Sequence, residues 1–401
     1  MVEYLDETTK FNGIYLRRIR EGETLYWIPD PQHYAKPGYY LPFELPLFYN
    51  PMMEINRDLS IIALATFLRV SDKEPEEITY IELLAGTGIR GFRVLNEVGL
   101  LNVIMNDINP KCVKFMHFNA KYFSPEIQSR ATILNYEANH LLSSIRLWKK
   151  PIDAIDIDPF GTPTPFIDSA VRILKRRTGL LLITATDTSA LIGKFPQSAR
   201  RKYGVYTKIT PFGGEIAIRT LIHYALNTAT KYGIALKPLF GFFLMHFIKI
   251  ALITIPGRRV ADKFLWDRSG WIAIEDDKIH ILGKPKNTPK GDLIGPIWLG
   301  PIYDEEFVNE TLNIINKLPI DKKSKTKIET WLKAELKTAL IPFYYNIELI
   351  ASKLRRTTPR IKDVINELQK QGYIAERTHF HPKAIKTNAS LEVIQKIVKK
   401  L

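Results

Sequence analysis

Between residues 80 and 184 short apolar runs alternate with stretches of helical periodicity, and this alternation constrains the fold more than any other feature of the chain. The apolar runs are Tyr80 to Leu84, Val103 to Met105, Ala131 to Leu134, Ala154 to Ile157 and Leu180 to Thr184. Helical patterns occupy Ile89 to Val98, Pro110 to Lys121 and Pro165 to Lys175. Strands joined by such crossovers predict a parallel, doubly wound sheet, because a right-handed crossover returns each strand beside its predecessor. A helix is predicted before this region, over Arg57 to Val70, and a long one after it, over Glu215 to Tyr232. Leu239 to Leu244 and Ile248 to Ile255 then sit back to back and predict an antiparallel hairpin closing one edge of the sheet. Residues 1 to 50, rich in Tyr, Pro and Arg, read as short strands and an extended arm.

Past Pro256 the composition changes, and GRRVADKFLWDRSGW reads as a basic loop. The expected division is therefore a first domain over 1–257 and a second over 258–401. The last sixty residues predict a helix over Tyr345 to Leu354, a turn at TTPR, a helix over Ile361 to Gln371 stopped by Gly372, and a short wing. That order describes a winged-helix module, which often lies on nucleic acid, or equally a helical subdomain bracing its neighbour. The expected fold is thus α/β, with a doubly wound, mostly parallel sheet, plus a smaller α+β C-terminal domain with a winged-helix-like end.

A chain of 401 residues with 45% hydrophobic and 25% charged residues fits an ordinary soluble protein of two domains. It offers no run of about 18 apolar residues for a membrane span and no apolar core behind a basic start for a secretory signal. The single cysteine, Cys112, excludes an intrachain disulfide and any multi-cysteine metal site, so no metal and a cytoplasmic setting are expected. The formal charge of +15 attracts a polyanion such as nucleic acid, although it also suits a basic surface tuned for solubility.

The turn after the first strand of the alternation contains Gly86, Gly88 and Gly91 in a G-x-G-x-x-G spacing. Glycines there let a ligand approach a helix N-terminus closely, and the pattern alone serves a dinucleotide as well as S-adenosylmethionine. Asp107, about twenty residues on, would accept ribose hydroxyls in either case. Glu82 favours the methyl donor, because a carboxylate can receive the ammonium of a methionine moiety and would repel a pyrophosphate. Glu137 and Ala138, after the third strand, could read an adenine edge. Each acid alone could be a solvated loop charge; acids at successive strand ends form a series.

The sharpest signal is Asp158-Pro159-Phe160-Gly161 after the strand AIDI. A carboxylate there can accept from the N–H groups of a base and raise electron density on its amine. Pro159 fixes the backbone, and Phe160 offers a stacking face to a flipped base. Guanine presents N1–H and the N2 amine side by side, which an ionised Asp matches; adenine pairs its amine with an acceptor nitrogen, which suits Asn. Asp156 lies on the same face, as a supporting group or as a cap of the strand end.

The chain resembles the archaeal tRNA (guanine(26)-N2)-dimethyltransferase family nearly end to end. The likeness runs through LFYNPMMEINRD at 47–58, LLAGTGIRGFR at 83–93, NDIN at 106–109, IDIDPFGTP at 155–163, ITATDTSAL at 183–191, GPIWLGP at 295–301 and RTHFHPKAIKT at 377–387. The resemblance implies a class I methyltransferase domain joined to a family-specific C-terminal domain. It further implies S-adenosylmethionine as cofactor, tRNA as partner and two methyl transfers to N2 of one guanine. Carried over by position, Arg90, Asp107, Glu137 and Ala138 would bind the cofactor, while Asp158 and Phe160 would hold the guanine. Met52 stands where the family often has an Arg that helps hold the cofactor, with Arg57 as the nearby substitute. Arg355, Arg356, Arg360 and Lys362, with Lys383 and Lys386 in the wing, are the expected contacts to the tRNA backbone, and a monomer is expected. The alternatives are an adenine-N6 methyltransferase and a non-catalytic RNA-binding protein; a nicotinamide-dependent dehydrogenase is more remote.

Overall fold

In a computed structural model the described residues are 2–34, 42–145, 152–275, 278–283 and 292–401, so part of the N-terminal arm, from 35 to 41, lies outside them. In chain order the strands are β1 (Glu3–Phe11), β2 (Ile14–Glu21), β3 (Thr24–Pro29), β4 (Thr79–Glu82), β5 (Asn102–Asn106), β6 (Ala131–Leu134), β7 (Ala154–Ile157) and β8 (Leu180–Ala185). They continue as β9 (Ile234–Leu244), β10 (Phe247–Pro256), β11 (Ser269–Glu275), β12 (Lys278–Gly283), β13 (Asp292–Trp298), β14 (Tyr345–Asn346), β15 (Ala375–Arg377) and β16 (Ala384–Thr387). The central sheet has the order β6-β5-β4-β7-β8-β10-β9. Its β4, β5, β6 and β7 pair in parallel, while β9 and β10 form an antiparallel hairpin. The alternation read from the sequence is therefore the sheet, with strand ends shifted by a residue or two.

The chain divides into two compact units: Met1–Pro159, Ser169–Leu182 and Asn309–Lys327 form the first, and Phe160–Asp168, Ile183–Val308 and Ile328–Leu401 the second. In the first, the arm is an antiparallel sheet of β1, β2 and β3. Its inner face reaches the Gly-rich turn: Tyr26 Oη donates to the Thr87 carbonyl at 2.6 Å, and Trp27 N donates to Asn119 Oδ1 at 2.8 Å. Glu21, at the end of β2, is fully buried and takes Arg57 through Nε at 2.5 Å and Nη2 at 2.6 Å. Arg93 joins Glu21 at 3.1 Å, Asp58 at 2.8 Å and Glu97 at 2.9 Å. Burial pushes the Glu21 carboxyl up, but the two guanidinium groups outweigh it and hold it at about 2. The helix expected over Ile89 to Val98 is α-helical over Ile89–Arg93 and widens to a π-helical turn over Val94–Val98.

In the second unit the segment expected to be a loop forms the helix Arg258–Arg268, followed by the sheet β12-β11-β13. The C-terminal module is a winged helix built on Ile347–Lys353, Ile361–Lys370 and the sheet β14-β16-β15. A further helix, Leu391–Lys400, closes its core through Leu391, Ile394, Ile397 and Val398. Lys386 does not extend into solvent from the wing: it is 3% exposed and bonds Glu335 at 3.0 Å. Glu335 also accepts from Thr378 Oγ1 at 2.6 Å and His379 Nδ1 at 2.8 Å. The Phe243 N–H donates to His379 Nε2 at 3.2 Å, which fixes the Nδ1–H tautomer. Thus much of RTHFHPKAIKT is a buried clamp, whereas Arg355, Arg356, Arg360 and Lys362 are exposed as expected.

Candidate active site

The carboxyl ends of β4 and β7 meet in register, Glu82 beside Asp156. Two carboxyl groups so placed favour a cation beside them, and the first turn of the next helix supplies Arg90, which is buried with them. Arg90 Nη1 lies 2.8 Å from Asp156 Oδ1 and Nε 3.7 Å from Glu82 Oε1, and Nη2 bonds both Asp158 Oδ2 and, at 3.1 Å, Asn56 Oδ1. Asp156 also accepts from Ser60 Oγ at 2.7 Å. Asp156 is thus a buried supporting group. The sequence reading missed Asn56 and Ser60, whose signal was two fully buried polar residues four apart on one face of the helix Glu54–Val70.

Burial pushes the Glu82 carboxyl up to about 8; Asp156 and Asp158 add to the shift, and Arg90 and the Gly91 N–H oppose it. A Cβ at Gly91 would stand 2.3 Å from Met105 Sδ and 2.9 Å from Glu82 Oε2, so a larger residue would have to push these buried side chains aside; the Gly91 N–H donates to Glu82 at 2.9 Å. Gly86 has φ +55° and open space where a side chain would begin, leaving its backbone approachable. Gly88, with φ 84°, begins the helix.

Buried Asn106 ties the strand ends together, donating to the carbonyls of Leu83 at 3.1 Å and Tyr136 at 3.0 Å. Asp107 follows it and accepts from Gly86 N at 2.7 Å and Asn109 N at 2.8 Å; burial raises its carboxyl pKa. Glu137 accepts from Asn139 N at 3.0 Å and His140 N at 2.8 Å, capping the helix that begins at Ala138. Met52 is exposed, and Arg57 is committed to Glu21 and the Asn50 carbonyl.

Asp158 is half-buried, Pro159 is buried and Phe160 is 65% exposed. The Phe160 ring is thus largely open to solvent, and Arg90 anchors the Asp158 carboxylate. Gly161 N donates to Thr186 Oγ1 at 2.6 Å, holding the far side of the turn.

The residues fit a bound S-adenosylmethionine. Gly86 leaves room for it, and exposed Ile108 and Tyr136 follow β5 and β6 beside Asp107 and Glu137. Asn139 Oδ1 is a buried acceptor without a partner among the described residues. Among the same residues no group of His, Cys, Asp and Glu is placed to hold a metal ion, and no helix is long and apolar enough to cross a membrane.

A doubly wound sheet ending in an antiparallel hairpin, with a Gly-rich turn and acids at successive strand ends, defines a class I S-adenosylmethionine-dependent methyltransferase. The family model for the N2,N2-dimethylguanosine tRNA methyltransferases matches residues 28–399, and the chain belongs to that family. It is 35% identical over 378 residues to the tRNA (guanine(26)-N(2))-dimethyltransferase of Methanocaldococcus jannaschii, covering 93% of this chain and 96% of that one. The enzyme of the same name from Methanosarcina acetivorans is 31% identical over 402 residues, covering 96% and 99%. Trm1 from Pyrococcus horikoshii, solved with S-adenosyl-L-methionine, superposes with a TM-score of 0.80 at 28% identity, covering 95% of this chain and 99% of that one. The chain is a tRNA methyltransferase that uses S-adenosylmethionine.

Proposed function

We propose that the enzyme methylates N2 of guanine 26 in tRNA, twice in succession, with Asp158 and Phe160 holding the base. The observation that carries this reading is the Arg90 cluster, which links Glu82, at the cofactor turn, to Asp158, at the base. Arg90 uses part of the hydrogen-bonding capacity of Asp158, and each carboxylate oxygen has two lone pairs. Asp158 can therefore accept from N1–H and N2–H of guanine while Arg90 keeps the carboxylate oriented. Phe160 stacks on the base and Pro159 holds the backbone between them.

In the same reading Glu82, Gly86, Gly88, Asp107, Glu137 and Ala138 hold S-adenosylmethionine, with Arg90 orienting Glu82. Bound there, the cofactor supplies an electrophilic methyl group on a sulfonium. The side chains then have little strong acid or base work to do; positioning the amine and excluding water are the main contributions. The C-terminal region from 258 to 401 positions the tRNA through Arg355, Arg356, Arg360 and Lys362. One chain carries both sets of residues, so a monomer suffices for this reading, and its lone, buried Cys112 suits the cytoplasm.

The test is transfer of labelled methyl groups to tRNA transcripts carrying guanine or adenosine at position 26, followed by nucleoside analysis. Label should enter only the guanine transcript and end as dimethylated guanosine. Asp158→Ala should lower kcat/KM by about 100-fold or more, the scale set by losing a positioning contact at the reacting group. Equal labelling of both transcripts would overturn the assignment of the base.

A further inference from the structure

No Asp or Glu occurs between Asp187 and Glu215, while Lys194, Arg200, Arg201, Lys202 and Lys208 all fall there. Large apolar side chains are interleaved with these cations and left in solvent: Phe195 is 54% exposed, Tyr206 45% and Ile209 69%. A folded chain normally covers such groups. Here the helix Pro196–Tyr203 buries only Ala199 and Tyr203, while Pro196, Gln197, Arg200 and Arg201 are exposed. The Arg200 guanidinium lies 4.6 Å from the Tyr206 ring centroid, and that ring packs 5.6 Å from Trp271. The outcome is a surface of flat rings and cations with no acidic side chain from its own segment.

The segment is also fastened to the turn that carries Phe160. Tyr203 Oη donates to Asp187 Oδ1 at 2.7 Å and accepts from Thr162 Oγ1 at 2.9 Å. Lys202 bonds the other oxygen of Asp187 at 2.9 Å, so this cation is spent on the anchor. Thr162 stands two residues after Phe160, whose ring is exposed. Lys194, Arg200 and Arg201 remain exposed, with Lys194 Nζ 5.9 Å from the Phe195 ring centroid.

We propose that residues 194–209 form a docking surface for tRNA, taking the nucleotides that flank the methylated guanine. The inference rests on the tRNA reading above and deepens it. Lys194 and Arg201 contact backbone phosphates, Phe195 stacks on one unpaired base, and Arg200 is held over Tyr206 to present its outer face. This chemistry selects RNA: a polyanion meets the cations, and unstacked bases meet the rings. An acidic protein would meet the cations but would bring no unpaired base to stack on Phe195.

The test compares full-length wild type with Phe195→Ala, with the pair Lys194→Ala and Arg201→Ala, and with the charge-matched pair Lys322→Ala and Lys323→Ala, two exposed residues that belong to the other unit. Binding to an unmodified tRNA transcript is followed across a salt series, with S-adenosylmethionine binding and thermal unfolding as checks on the fold. Removing Lys194 and Arg201 should lower the salt slope by about two and weaken binding to every tRNA alike. Phe195→Ala should weaken binding about tenfold with the slope unchanged, and raise KM for tRNA to match. The control pair should change neither. If the control loses as much as the test pair, bulk charge explains the effect and the surface is not a docking site. Wild-type affinity and slope in both test variants, with wild-type methylation of tRNA intact, would overturn this inference alone. If wild type itself neither binds nor methylates tRNA, the functional reading falls and this inference with it.

Discussion

At the scale of the residue, Arg90 shows how one side chain can tie neighbouring strand ends together. Glu82 and Asp156 are forced together by the parallel register, and Asp158 follows two residues on; one guanidinium answers all three. The arrangement leaves Glu82 with a carboxyl pKa of about 8, so it is largely protonated at pH 7 before the cofactor arrives. A cationic ammonium binds the ionised form better, so S-adenosylmethionine should bind with release of a proton. Calorimetry in buffers of different ionisation enthalpy should show that release near pH 7 and tighter binding as the pH rises from about 6.5 to 8.5. Glu82→Gln should abolish both effects. Wild-type binding that is flat across this range would sink the assigned role of Glu82.

At the scale of the element, the Glu21 network joins β2 to the helices Glu54–Val70 and Ile89–Arg93. Its carboxyl titrates at about 2 in the folded chain and near the ordinary value of about 4.3 in the unfolded one. The unfolded chain therefore takes up the proton first, and the stability Glu21 contributes is present above about pH 5 and lost as the pH falls toward 2. Glu21→Gln should cost about 3–5 kcal/mol at pH 7, because it leaves two buried guanidinium groups short of a counter-charge. Chemical denaturation should find that loss at neutral pH and a smaller difference from wild type at pH 3.

The same scale explains which elements were legible in the sequence. Strands β4 to β8 are apolar and bounded by turns, so periodicity exposed them. The helix Arg258–Arg268 buries only Ala261, and with no apolar stripe it read as a loop. Asp158, Glu82 and Asp107 could be found because strand ends are places that topology dictates. Asn56 and Ser60, which bond Arg90 and Asp156 in the same cluster, come from a helix whose Ser60 lies 96 residues before Asp156 in sequence, and only tertiary packing unites them. Lys386 misled for a related reason: a lysine in a basic wing looks solvated until Glu335, 51 residues earlier, is folded against it.

For the whole molecule the governing quantity is the charge of +15. Neutralising phosphates releases counterions, so tRNA affinity should fall steeply with salt. If six to ten phosphates are engaged, affinity should drop about 10³- to 10⁵-fold between 50 and 200 mM salt. S-adenosylmethionine binding, inside the first unit, should change far less over the same range. Parallel titrations of both ligands check this, and equal salt dependence of the two would remove the polyanion from the explanation. Charge of this kind was readable from composition, but its placement was not: some cations are consumed inside buried clamps, and the fold decides which.

The first unit is assembled from three stretches of chain, the last running from Asn309 to Lys327. Thr66 meets Thr311 at 3.1 Å, and Arg69 meets Glu310 at 3.4 Å. At the other end, Tyr26 finds Thr87 and Trp27 finds Asn119 only after 61 and 92 further residues. A ribosome delivers these partners in order, at about 5–20 residues per second. The amino-terminal sheet must therefore wait several seconds for the helices it covers, and the unit it belongs to closes only when four-fifths of the protein has emerged. During that interval the flank of the helix Glu54–Val70 that Thr311 and Glu310 later meet stands open in the nascent chain, so the order of synthesis is itself a stage at which this unit is exposed to misassembly.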